Sequence, residues 1–179
     1  SIPNFDYGMA PGVAKTYARL YRQNMHKALE LLTDLQDVPH VVEQLTRELQ
    51  EKFNLRPTLS DSNGYKNHER EWLSQLINDE VTVDKVQSFA EKCAWQETDR
   101  VTYQAMEAFV HNLNTMHSRA GAQIPFSSVN YGTDTSAEGK MVIRNLLLAT
   151  EAGLGNGETP IFPIHILKVK EGINYKPGD

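Results

Sequence analysis

A helix-rich α/β fold is expected from three features of this sequence. The first hundred-odd residues space their apolar side chains as helices do, the last third switches to strand–helix–strand patterning, and the strands are too few to complete a sheet.

Residues 1–7 read as a short strand, ended by Gly8 and Pro11. From Val13 the apolar positions Val13, Tyr17, Leu20, Tyr21, Ala28, Leu31, Leu32 and Leu35 recur at helical spacing. Asp37 can cap a second helix with Val38, Val41, Val42, Leu45, Leu49 and Phe53 on one face, and Arg56-Pro57 stops it. The stretch TLSDSNGYKN (58–67) has loop composition, and a shorter helix is expected over 68–77. Thr82 or Asp84 opens the next helix. No Gly or Pro interrupts the run to Met116, but its length predicts a break near 97–100.

QIPFSSVNY (123–131) then reads as a strand. Thr135 stands three residues before Glu138, the spacing of a capping box, and Met141, Val142, Leu146, Leu147 and Leu148 give the following helix an apolar face. Gly153, Gly155 and Gly157 end it, and IFPIHILKV (161–169) is nearly continuous apolar, like a strand buried on both faces. Strand, helix and strand make a βαβ unit, whose strands should be parallel with a right-handed crossover. Pro125 and Pro163 each remove a ladder donor, so the sheet is expected to be completed by strands elsewhere. One incomplete domain is expected over 1–179, with 1–120 mostly helical and 121–179 strand–helix–strand.

Composition narrows the function. Eighteen basic against 23 acidic residues give a net charge of −5, contrary to the basic surface of a general nucleic-acid binder. Apolar runs fall far short of the roughly 20 residues that cross a bilayer, so no membrane partner is expected. One cysteine, Cys93, can form neither an internal disulfide nor a thiolate metal site. A soluble, cytoplasmic chain is expected. It opens without Met and closes on a turn, as an internal piece of a longer chain would.

Gly153, Gly155 and Gly157 follow a helix and precede a strand, the reverse of a phosphate-binding loop, so a helix C-cap is the preferred reading. Ser127, Ser128, Asn130, Tyr131, Gly132 and Thr133 occupy the carboxyl end of a strand, where parallel α/β folds bind ligands. Their hydroxyls and amides would suit a phosphate or ribose, or would simply cap the next helix, and the residues leave both open. Arg119 could bind phosphate, but Arg119 and His117 also suit the negative end of the preceding helix. His111 and His117 do not share a helix face, which disfavours a metal pair. Cys93 has no neighbouring base to activate it.

Several blocks nonetheless carry a family likeness. YQAMEAFVHNLNTMHSRAGAQIPFSSVNYGTDTS (103–136), GNGETPIFPI (155–164), KVKEGINY (168–175) and the opening SIPNFDYGMAP (1–11) closely resemble anaerobic (class III) ribonucleoside-triphosphate reductases. The resemblance implies a segment of a ten-stranded glycyl-radical-enzyme α/β barrel that converts ribonucleoside triphosphates to deoxyribonucleoside triphosphates. It further implies a glycyl radical installed by an activase with an iron–sulfur cluster and S-adenosylmethionine, a derived thiyl radical that attacks the ribose, formate as a common reductant, a homodimer, and control by dNTP and ATP effectors. The family's radical glycine, catalytic cysteines and four-cysteine zinc site have no counterpart among these residues, and Cys93 matches none of them. No catalytic or metal residue is therefore assigned, and the segment alone is expected to be inactive. The resemblance makes His117, Ser118, Arg119, Ser127, Ser128 and Asn130 candidate substrate-pocket groups, and the helices over 13–53 and 82–116 a dimer and effector surface. Two alternatives are a segment of another glycyl-radical enzyme, formate-lyase-like, and a non-enzymatic helical interaction module.

Overall fold

The computed structural model describes residues 1–116, 124 and 126–176. Its elements run α1 (Phe5–Leu32), α2 (Val38–Phe53), α3 (Tyr65–Ser74), α4 (Glu80–Thr115), β1 (Ser128–Tyr131), α5 (Ala137–Ala152) and β2 (Ile164–Leu167). The helix-rich α/β class is as expected. Two compact units divide the chain, Ala14–Thr98 and Ser1–Val13 with Asp99–Asp179. No helix among the described residues is long and apolar enough to cross a membrane.

The Ala14–Thr98 unit is a helical packing problem solved by spacing. On α2, Val38, Val42, Leu45 and Leu49 fall three or four residues apart and are all buried. They join Tyr17, Leu20, Tyr21, Met25 and Leu29 of α1, Leu73 of α3 and Val83, Val86, Ala90 and Ala94 of α4 in one core. Each such large side chain contributes about 1.5–3 kcal/mol on burial. The end of α2 falls where expected: Asn54 turns left-handed (φ 52°), and its N–H reaches the Gln50 and Leu49 carbonyls. Polar ties join the same helices, with Trp72 Nε1 donating to Glu48 Oε2 at 3.1 Å and Lys66 pairing with Glu91 at 2.8 Å.

Helix α3 begins at Tyr65, three residues before the expected start, because left-handed Gly64 (φ 74°) serves as its N-cap. Helix α4 starts at Glu80, where Asp79 accepts from Val81 N and Thr82 Oγ1. The break expected near 97–100 does not occur, and α4 is continuous for 36 residues. Without Gly or Pro nothing forces a break, and Thr98 turns its hydroxyl back to the Ala94 carbonyl at 2.6 Å. The boundary between the two units does fall there, at Thr98 and Asp99.

In the other unit the N-terminal strand shrinks to a single parallel bridge, Ile2 with Val129. Helix α1 begins already at Phe5 and runs through Pro11. Tertiary contacts outweigh the breaker signals here: Phe5 is buried against Phe109 with ring centroids 5.2 Å apart, and Asp6 is fully buried. Strands β1 and β2 pair in parallel, with Ser128 opposite Ile164 and Tyr131 opposite Leu167, as the βαβ reading requires. Strand β1 is shorter than expected, and Gln123 and Pro125 lie outside the described residues. Ser136, not Thr135, caps α5, accepting from Gly139 N at 3.0 Å. Gly153 ends that helix with φ 78°, as expected of a C-cap glycine.

Strand β2 departs from the expectation of burial on both faces. Ile164, Ile166 and Leu167 are all more than a third exposed, because among the described residues β2 has a strand partner on one edge only.

Candidate functional site

The geometry around β1 starts from its two faces. Side chains alternate along a strand, so Val129 and Tyr131 share one face and Ser128 and Asn130 the other. The first pair is buried. Tyr131 Oη lies 3.2 Å from His165 Nδ1, and His165 Nε2 lies 3.2 Å from Thr150 Oγ1 of α5. Helix α5 therefore covers that face, and burial holds the His165 imidazole below its ordinary pKa. On the opposite face Ser128 and Asn130 stand in register with Ile164 and Ile166.

Two polar atoms at this strand stand out. Ser127 Oγ and Asn130 Oδ1 are both shielded from water, yet neither has a hydrogen-bond partner among the described residues. A shielded polar atom without a partner costs about 1–3 kcal/mol, and a ligand hydroxyl can relieve that cost. A serine hydroxyl both donates and accepts, and an amide oxygen accepts, so each suits a hydroxyl partner better than a bare anion.

The turn that follows corrects the sequence reading. Gly132 N and Asp134 N, which could have cradled a phosphate, both donate to Asp6 Oδ2 at 2.9 and 3.2 Å. Ser136 N is taken by Asp134 Oδ1. The amides of this turn are thus taken by the chain's own carboxylates, and the cap of α5 is Ser136 rather than any of the candidate groups. His117, Ser118 and Arg119 lie outside the described residues. Of the six candidate groups, Ser127 immediately precedes β1, Ser128 opens it and Asn130 is its third residue, so the two serines stand at the amino end of the strand rather than at the carboxyl end expected.

A second feature was not assigned from the sequence. In the helical unit a cavity of about 500 Å³ is rimmed by Arg19 and Arg22 of α1, Arg47 of α2 and Arg56 beyond it, over Tyr21, Met25, Leu45, Tyr65 and Glu69. Arg56 Nε donates to Gln50 Oε1 at 3.1 Å, while Arg19, Arg22 and Arg47 form no ion pair among the described residues. In a chain of net charge −5, four arginines against the two acidic lining residues Glu43 and Glu69 favour an anion there. The available signal was Arg19 and Arg22, three apart and so neighbours on α1. Their convergence with Arg47 required the tertiary structure.

Glu69 lies at the base of this cavity, fully buried. It accepts from Tyr21 Oη at 2.5 Å and Gln87 Nε2 at 3.0 Å. Burial raises its pKa above the usual 4.5, against the pull of those hydrogen bonds. The folded state therefore holds this proton more tightly than the unfolded chain. Its contribution to stability is present below about pH 4.5 and is lost as pH rises through the raised native value, at up to about 1.4 kcal/mol per pH unit. Glu69→Gln should flatten this dependence, gaining on the wild type between pH 4.5 and alkaline pH. Urea denaturation across that range measures it, and parallel slopes for the two proteins would contradict it.

Neither region fits a zinc centre. Cys93 is the one thiol of the chain, and no three His, Cys, Asp or Glu side chains converge among the described residues.

The chain is thus a helix-rich α/β segment that carries polar groups along β1 in one unit and an arginine-lined cavity in the other. The model of the family described as anaerobic ribonucleoside-triphosphate reductase matches residues 1–179, and the chain belongs to that family. The chain is similar to the anaerobic ribonucleoside-triphosphate reductases of Salmonella typhimurium and of Escherichia coli, 34% identical to each over 91 residues, half of this chain. It is 36% identical over 87 residues, 48% of the chain, to that of Enterobacteria phage T4. These matches span only 13–14% of the relatives' own lengths. The family match does not favour the formate-lyase-like enzyme or the interaction module.

Proposed function

We propose that this chain works as an internal segment of an enzyme that reduces ribonucleoside triphosphates to deoxyribonucleoside triphosphates. The family match over all 179 residues is the observation that carries this reading. In it, β1 and β2 are wall strands of a larger barrel and 1–179 is part of one domain, which accounts for the exposed apolar face of β2. The glycyl radical, installed by an iron–sulfur/S-adenosylmethionine activase, supplies hydrogen-abstracting chemistry from residues outside this segment.

The chain's own part is binding and orientation. Asn130, with Ser128 on the same face, contacts the ribose hydroxyls, Ser127 offers a further hydroxyl, and His117, Ser118 and Arg119 are the other candidate substrate groups. The arginine-rimmed cavity takes the triphosphate of a dNTP or ATP effector, and the surrounding helices form the homodimer surface. The pocket exchanges the 2′-hydroxyl for hydrogen, with water leaving and a reductant such as formate supplying two electrons.

The test is anaerobic turnover of the full-length protein after activation, with deoxynucleotide product separated by chromatography. Ribonucleoside triphosphates should be reduced, and the 179-residue chain alone should yield none. A radical-bearing full-length protein that leaves ribonucleotides unreduced would overturn the reading.

A further inference from the structure

We propose that Asp6 is a positioning residue for the β1 site, acting through the turn at residues 132–134. This rests on the reading of β1 as a substrate wall.

Asp6 is fully buried, and no basic side chain pairs with it among the described residues. Its partners are backbone amides: Oδ1 accepts from Tyr7 N at 3.0 Å, and Oδ2 from Gly132 N and Asp134 N at 2.9 and 3.2 Å. The carboxylate thus occupies the turn as a built-in anion, linking positions 126 and 128 residues apart in sequence. Such amide bonds to a charged acceptor are the strong kind.

The same stretch grips β1 twice more. Ile2 N donates to Ser128 O at 2.8 Å and Asn130 N to Ile2 O at 3.0 Å, so Ile2 holds the strand edge. Tyr7 Oη donates to Thr133 O at 2.9 Å. From the other side Asn174 Nδ2 donates to Gly132 O at 2.7 Å. Gly132 has φ 118°, and a Cβ there would stand 2.8 Å from the Lys168 carbonyl oxygen, so the turn has little freedom to relax in place. Asn130 lies two residues before that anchored glycine. Asn130 is the candidate contact nearest that anchor, and a displacement near 1 Å at such a site can cost about 100-fold in rate.

The test uses the full-length reductase with Asp6→Asn and Tyr7→Phe. Asparagine keeps the shape but presents an amide donor where a backbone N–H also donates. Tyr7 is half exposed, so its phenylalanine variant loses one bond without touching the core. Asp6→Asn is expected to lower kcat/KM for ribonucleotides about 10- to 100-fold, chiefly through KM, and Tyr7→Phe to move it less in the same direction. Amide exchange over residues 130–134 should quicken in both, while effector affinity and radical content stay as in the wild type. Wild-type kinetics in both variants, whatever the exchange rates, would overturn the proposal, and if Asp6→Asn does not fold, wild-type kinetics in Tyr7→Phe suffices. If Ser127→Ala/Asn130→Ala retains normal kinetics, the substrate-wall reading itself has failed, whatever Asp6 does.

Discussion

Truncating two side chains together, Ser127→Ala/Asn130→Ala, is expected to lower kcat/KM for ribonucleoside triphosphates about 100-fold in the full-length enzyme. A hydrogen bond to a neutral ligand group is worth about 0.5–1.5 kcal/mol, so two contribute about 1–3 kcal/mol, whose upper end covers the roughly 2.7 kcal/mol of a 100-fold change. Stability should move the other way or not at all. Both Ser127 Oγ and Asn130 Oδ1 are shielded and lack partners among the described residues, so their removal relieves a desolvation cost in the unliganded protein. Groups that served packing would give the opposite pairing, a lower urea midpoint with unchanged kcat/KM. Initial rates and denaturation of the same preparation distinguish the two.

The second large effect concerns the arginine-rimmed cavity. Arg22→Ala/Arg47→Ala should weaken dNTP effector binding at least about 100-fold, since charge-assisted hydrogen bonds contribute about 1.5–3 kcal/mol each. Lysine at these positions should restore only part of it, because an ammonium lacks the planar fork that matches a phosphate. Effector-free turnover should be unaltered, and the wild type should lose affinity as salt rises. Calorimetry with dNTPs measures all of this. Undiminished affinity in the double variant would place the effector elsewhere.

Legibility in the sequence followed the range of the forces involved. Helix α2 could be read closely, because its apolar spacing and the Arg56-Pro57 stop are local signals, although Asp37 makes no side-chain cap bond. The parallel pairing of β1 and β2 followed from the order strand, helix, strand. What failed was decided by distant residues. The first residues of α1 look like a strand until Asp6 meets Gly132 and Asp134. The expected break in α4 had no local cause and did not form. Ser127, Ser128 and Asn130 became candidates because ligands favour the carboxyl ends of parallel strands, yet β1 begins only at Ser128, which leaves both serines at its amino end. That the amides after them were spoken for could not be seen, since the carboxylate that takes them is 126 residues away. The cavity arginines come from α1 (Arg19, Arg22), α2 (Arg47) and the segment after it (Arg56), and a one-dimensional pattern carries no sign that these stretches line one cavity.

Hydrogen exchange of the full-length enzyme, with substrate and effector added separately, tests the central claim most directly. A ribonucleoside triphosphate should slow exchange across residues 127–131, and a dNTP effector should slow it across 19–25 and 42–47. Saturating nucleotide that protects other segments and leaves both of these at their unliganded rates would contradict the account.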